Sequence, residues 1–156
     1  MKTLVVYDSV YGNTEIIARA IGDAIPGEVK VVRVAQVNEE DLRSADLIII
    51  GSPTHGSLPT EAVQGLLQRV GAPVRKGARA ATFDTRLAWG FLERWGGFAA
   101  PKMADTLGAK GWTVVGEPGG FFVRGLRKGP LKRGEAERAT TWAEGLVESK
   151  TMGSTN

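Results

Sequence analysis

The sequence predicts a doubly wound α/β domain: one parallel five-stranded sheet with helices on both faces. Three observations carry this. Short apolar runs alternate with helix-period segments along the chain, with neither an internal repeat nor a low-complexity linker between them. One of these runs, "DLIIIG" at Asp46 to Gly51, is continuously apolar, as a strand buried on both faces must be. Twice a strand opens into a loop of Gly, hydroxyl and amide residues that leads straight into a helix pattern. At 156 residues, 42% of them hydrophobic, the chain suits a single domain with a full core.

The elements follow in order. Leu4 onward reads as a buried strand that enters the loop Ser9 to Thr14, after which Ile16, Ile17, Ala20, Ile21, Ala24 and Ile25 mark a helix. Pro26 and Gly27 end it, and Val29 to Val34 alternates as a partly polar edge strand. Asn38, followed by acids, caps a short turn or helix before the strand at Asp46 to Gly51. The loop "GSPTHGSLP" precedes a helix from Thr60 to Val70 with Val63, Leu66, Leu67 and Val70 inward.

Ala78 to Phe83 is a fourth strand, feeding a long segment, Asp84 to Ala100, that holds Trp89, Phe91, Trp95 and Phe98. Pro101 is placed as a first helical residue, with Gly111 as the stop. "WTVV" at Trp112 to Val115 is the fifth strand, resuming at Gly120 to Val123 after turn residues. The last helix starts near Gly134 with Ala139, Trp142, Ala143, Leu146 and Val147 on one side. The domain is therefore drawn at 1–148, and "SKTMGSTN", 149–156, is expected to be a disordered tail.

Composition removes several function classes. With no cysteine there are no disulfides, no thiolate metal site and no cysteine nucleophile, and one histidine leaves little material for a zinc site, so any redox chemistry must come from a bound organic cofactor. No apolar run is long enough to span a membrane and no leader pattern opens the chain, which points to a cytoplasmic protein without membrane insertion. The net charge of +3 is uneven: up to Glu61 there are 5 Lys or Arg against 9 Asp or Glu, and beyond it 15 against 8. Arg124, Arg127, Lys128, Lys132, Arg133 and Arg138 form the densest basic group; without interleaved aromatic residues they read as a solvated face rather than a nucleic-acid surface.

In folds of this class ligands sit beyond the carboxyl ends of the strands, where strand order reverses. That gathers Ser9 to Thr14, Ser52 to Gly56 and Asp84 to Trp95 around one crevice. The first loop has neither GxxxxGK[ST] nor GxGxxG, and no lysine to neutralise a polyphosphate. Ser9, Asn13 and Thr14 around Gly12 instead offer neutral donors and helix N–H groups to a single phosphate.

"SVYGNT" resembles the phosphate loop of the flavodoxin family, and "GSPTHG" resembles that family's second loop. The resemblance implies a sheet of order 2-1-3-4-5 and FMN as cofactor. It would give Ser9, Val10, Tyr11, Gly12, Asn13 and Thr14 to the FMN phosphate, with Pro53, Thr54, His55 and Gly56 flanking the isoalloxazine ring. In the third loop Asp84 and Thr85 would meet the ring through their backbone, Arg86 would lie near it and favour reduced anionic flavin, and Trp89 would stack on it. No catalytic residue and no metal ligand is implied; His55 is a shape and hydrogen-bonding element.

The function implied is electron transfer between redox partner proteins through non-covalent FMN. Tyr11 resembles instead the FMN-dependent quinone reductases of the superfamily, which makes an NAD(P)H:quinone-type reductase the alternative. A third possibility is a flavin-free module that binds proteins through its hydrophobic loop and basic surface. A phosphoacceptor role for Asp8 fails, because Gly51 and Ser52 stand where the third strand of such a domain needs its acid.

Overall fold

The computed structural model describes residues 1–87, 97–125 and 128–154, with side chains described to Glu148. Its elements are β1 (Lys2–Tyr7), α1 (Asn13–Ala24), β2 (Glu28–Arg33), α2 (Glu39–Ser44), β3 (Leu47–Pro53), α3 (Glu61–Arg69), β4 (Arg79–Leu87), α4 (Ala99–Ala109), β5 (Thr113–Val114), β6 (Gly119–Val123) and α5 (Glu135–Ser154). All strand pairs are parallel, in the order β2-β1-β3-β4-β5, and β6 also pairs with β4.

The predicted sheet is present, its fifth position filled by two pieces. Thr113 and Val114 sit against Arg79 and Ala80; the chain then leaves the sheet and returns with Gly119 to Val123 against Phe83 to Leu87.

Strand alternation divides the core in two. Leu4, Val6, Ile48 and Ile50 face Val63, Leu66, Met103 and Leu107 of α3 and α4. Val5, Tyr7, Ile49 and Phe83 face Ile17, Ile21, Ala139, Ala143 and Leu146 of α1 and α5. Every residue of β3 before Pro53 is buried, as its uninterrupted apolar run requires of a central parallel strand. Phe83, Phe121 and Trp142 meet edge to face with centroids 6.1–6.3 Å apart beneath the carboxyl ends of β4 and β6.

Three boundaries differ from the sequence reading. β4 does not stop at Phe83: Asp84 to Leu87 are strand, paired to β3 and β6, so the strand runs four residues further than expected. Pro101 is the third residue of α4, which starts at Ala99; an N–H is dispensable anywhere in the first turn, so proline fits there equally well. α5 continues to Ser154, taking in most of the segment expected to be a disordered tail, where no proline intervenes to stop it. Phe91 and Trp95 lie outside the described residues.

The edge beyond β4 is closed by the chain that follows it. Val123 bridges Leu131 in antiparallel fashion, and Lys132 donates its N–H to the Phe122 carbonyl at 2.8 Å. Glu135, buried at the head of α5, accepts from the Phe122 N–H at 2.7 Å and from Arg138, whose guanidinium also bonds the Gly120 carbonyl. These side chains occupy edge groups that would otherwise invite another strand.

Burial of the Glu135 carboxyl works against its ionised form, but the hydrogen bonds from Arg138 and the Phe122 N–H outweigh it and hold its pKa below the ordinary glutamate value. A lowered folded-state pKa contributes stability above the unfolded-state pKa that is lost as pH falls through the folded one. Glu135→Gln is therefore expected to destabilise the fold by about 1–2 kcal/mol at neutral pH, discounting for the half-exposed Arg138. Urea unfolding of both proteins across the acid range should show that gap closing as pH falls below about 4.

Candidate functional site

The chain leaves β1 toward β2 on one side and enters β3 on the other, so the switch point lies between β1 and β3. A crevice opens there at the carboxyl ends. Its walls are Val10, Tyr11, Asn13 and Thr14 from the first loop, Pro53, Thr54 and His55 from the second, Thr85, Arg86 and Leu87 from β4, and Val123 from β6.

The first loop turns into α1 through Gly12, whose φ of 94° lies in the left-handed region that glycine adopts without strain. A Cβ built there meets nothing within 4 Å. The Ser9 hydroxyl oxygen accepts from the N–H groups of Gly12 (3.0 Å) and Glu15 (3.3 Å), which shapes the loop from inside and leaves the hydroxyl proton to donate. Among the described residues no protein acceptor takes the N–H of Asn13 or Thr14, the first two of α1. Orphan N–H groups at a helix head, beside open space, are where an anion binds.

Two long-range contacts fix the loop in place. Asn13 donates its side-chain N–H to the Lys128 carbonyl at 3.1 Å, and the Thr14 and Thr85 hydroxyls share a hydrogen bond at 2.8 Å. Gly129, at φ 86°, lies so close that a Cβ there would collide with the Asn13 amide.

Sequence reasoning missed the layer behind the loop. Tyr7 donates its hydroxyl to Glu15 at 2.8 Å, while Arg33 reaches from β2 to Glu15 at 2.9 Å and to the Ser9 carbonyl at 3.2 Å. The Tyr7 hydrogen bond, with Arg19 and Arg33 nearby, lowers the Glu15 pKa despite partial burial; burial and Glu15 raise that of Tyr7. Asp8, considered only as a phosphoacceptor, takes the Ser9 N–H at 2.9 Å on one oxygen and the Thr60 hydroxyl at 2.6 Å on the other. Thr60 caps α3 and donates its own N–H to Ser52, so this carboxylate ties the first loop to the second. An acid at the end of β1 was the available signal.

The second loop is a tight reversal. His55 and Leu58 exchange backbone hydrogen bonds at 2.9 and 3.0 Å, with Gly56 and Ser57 between them at φ 56° and 69°. The Thr54 N–H binds the Thr85 carbonyl at 2.9 Å, its hydroxyl accepts from the Ala99 N–H at 3.1 Å, and Lys102 holds the Ser57 carbonyl at 2.6 Å. Pro53, Thr54 and His55 line the crevice; Gly56 sits at the turn beyond it.

β4 supplies the opposite wall, with roles partly different from those expected. Thr85 and Arg86 line the crevice, and the Thr85 carbonyl is taken by Thr54. Asp84 is wholly buried and absent from the lining: its carboxylate accepts from the Ala100 N–H at 2.8 Å and grips Arg86 at 2.7 and 2.8 Å. The Arg86 guanidinium lies 3.4 Å over the Phe98 ring, with Gly120 leaving it room. Arg86, expected near the ring, reaches the crevice with its charge matched by Asp84. Trp89 lies outside the described residues.

The donor set fits FMN: neutral hydroxyls and two orphan N–H groups suit a phosphate monoester, and the slot between the second loop and β4 leads away from them. The Flavodoxin domain family matches residues 4–84, just over half of the chain. A flavodoxin of Megasphaera elsdenii is 33% identical over 117 residues, 72% of this chain and 80% of that protein. Among solved structures, a flavodoxin from the domain Archaea superposes with TM-score 0.75 at 22% identity, covering 96% of this chain and 98% of that one. Rubredoxin oxygen:oxidoreductase from Desulfovibrio gigas gives TM-score 0.76 at 20% identity, over 97% of this chain but 36% of that longer one. Sequence and fold agree: this chain belongs to the flavodoxin family.

Proposed function

We propose that this chain carries electrons between redox partner proteins through non-covalently bound FMN, with the phosphate on the first loop and the ring between the second loop and β4. The observation that carries the placement is the pair of orphan N–H groups of Asn13 and Thr14 beside the open face of Gly12, with no lysine in the loop. FMN, when bound, supplies the redox chemistry.

The chain's own residues bind, orient and shield. Ser9 and Thr14 add hydroxyl donors at the phosphate, and Val10 and Tyr11 cover it from outside. Pro53, Thr54, His55 and Gly56 form one side of the ring slot, with Thr85, Arg86 and Leu87 on the other. Asp84 positions Arg86 and the head of α4 from below. Among the described residues no helix is long and apolar enough to cross a membrane, and a cytoplasmic site of action is the reading we favour.

The purified protein is expected to be yellow, or to turn yellow on adding FMN. FMN should bind about 100-fold more tightly than riboflavin, the equivalent of two hydrogen bonds to a charged group. Fluorescence titration of the apoprotein with each flavin checks this. Equal affinities would remove the phosphate from the first loop.

A further inference from the structure

The basic group in the sequence is not absorbed by the flavin site, yet the fold brings it there. Arg124, Lys128, Lys132 and Arg133 lie on the connection from β6 to α5, all exposed. That connection is fixed at the crevice, because Asn13 holds the Lys128 carbonyl and Gly129 packs on the Asn13 amide. Val123, immediately before Arg124, lines the crevice itself.

None of the ion pairs among the described residues uses these four cations; Lys132 lies over the Phe122 ring and near Glu135, a carboxylate already paired with Arg138. The acids nearest the site are engaged: Glu15 with Arg33 and Arg19, Asp84 with Arg86, and Asp8 with Thr60. Glu61 borders the opposite, α3 side of the second loop. On the β6 side the field at the mouth is therefore positive. Beside it Val10 and Tyr11, both in the crevice wall, are about half exposed, at 53% and 48%, an unusual exposure for large side chains around one opening. An apolar centre with a charged rim is the anatomy of a docking face, and the rim's sign selects the partner.

We infer that this face receives a redox protein whose own electron-transfer surface is acidic, with Arg124, Lys128, Lys132 and Arg133 steering it onto the exposed edge of the crevice. The inference rests on the flavin reading above and names the partner's chemistry. One electron passes per encounter between the FMN and the partner's redox centre, in the direction set by their potentials.

The test uses FMN-loaded, chemically reduced protein and two haem proteins of opposite surface charge, acidic cytochrome b5 and basic cytochrome c, each ferric haem accepting one electron from the flavin. Stopped-flow rates are read from about 10 to about 200 mM salt, a range in which the Debye length falls from about 30 Å to about 7 Å. Oxidation by cytochrome b5 should slow about tenfold with salt, and oxidation by cytochrome c should not. The double variant Arg124→Glu, Arg133→Glu should lose about tenfold with cytochrome b5 at low salt while retaining FMN. Arg43→Glu with Lys76→Glu makes the same change in net charge near the amino ends of β3 and β4, and should stay within about twofold.

Equal losses in both double variants would reduce the effect to net charge and overturn the inference, as would salt inhibition with cytochrome c. Retention of a DNA duplex at physiological salt, abolished by Arg124→Glu with Arg133→Glu, would reassign the patch to nucleic acid and overturn it too. A colourless protein that takes up no FMN would sink the flavin reading and this inference together; a yellow one with salt-independent rates would sink this inference alone.

Discussion

Gly51→Ala is expected to destabilise the protein by about 3 kcal/mol, at the upper end of what overpacking costs. Gly51 is central in β3, and its neighbour across the β3–β4 pair is Phe83. A Cβ at Gly51 would fall 2.0–2.4 Å from three carbons of the Phe83 ring, which is itself wholly buried and held edge to face by Phe121 and Trp142. The ring has no empty neighbour to move into without displacing the other two. For a chain of this length the penalty corresponds to a fall in Tm of about 6–12 °C, read by circular dichroism on the apoprotein. Adding Phe83→Leu should restore part of the loss, because the two changes share one space. A penalty below about 1 kcal/mol would mean that the aromatic cluster is looser than its burial indicates.

Gly129→Ala should act on the ligand instead. Its φ of 86° makes any side chain there strained by about 1–2 kcal/mol, and the added Cβ collides with the Asn13 amide. The connection between β6 and α5 must then retreat, taking the Lys128 carbonyl from Asn13 and freeing the head of α1 to move. FMN affinity is expected to fall about tenfold, the equivalent of about 1.4 kcal/mol, while riboflavin affinity changes little. The comparison isolates the phosphate end. Equal losses for the two flavins would show that the segment supports the ring or the whole fold rather than the phosphate loop.

The parts of this protein written locally were the easiest to read. The apolar run of β3 and the loop "SVYGNT" each carry their meaning within a few residues, because burial on both faces and a helix head are short-range properties. The end of β4 was obscured by polarity: Asp84, Thr85 and Arg86 look like loop, and only the Arg86 pairing, the Ala100 N–H and the Thr14 hydroxyl make them tolerable in a strand. The supports behind the phosphate loop were hidden differently. Arg33 is 24 residues from Ser9, and Lys128 is 115 from Asn13, distances over which no periodicity speaks. The basic group was visible as composition, but its location beside Asn13 was not.

That last contact also bears on how the molecule is made. A growing chain that has emerged only as far as α4 already contains every residue of the first two loops, and lacks the Lys128 carbonyl and the β6 strand that pairs with Thr85. Its helix head can meet Thr85 but not yet Lys128, so the second of its two long-range ties arrives with the closing fifth of the sequence. Loop closure over such separations is the slow, entropically costly part of assembly. Flavin capture thus marks completion, and a flavin that favours only the finished form shifts the balance toward it by mass action, holding the two ends of the chain together after synthesis.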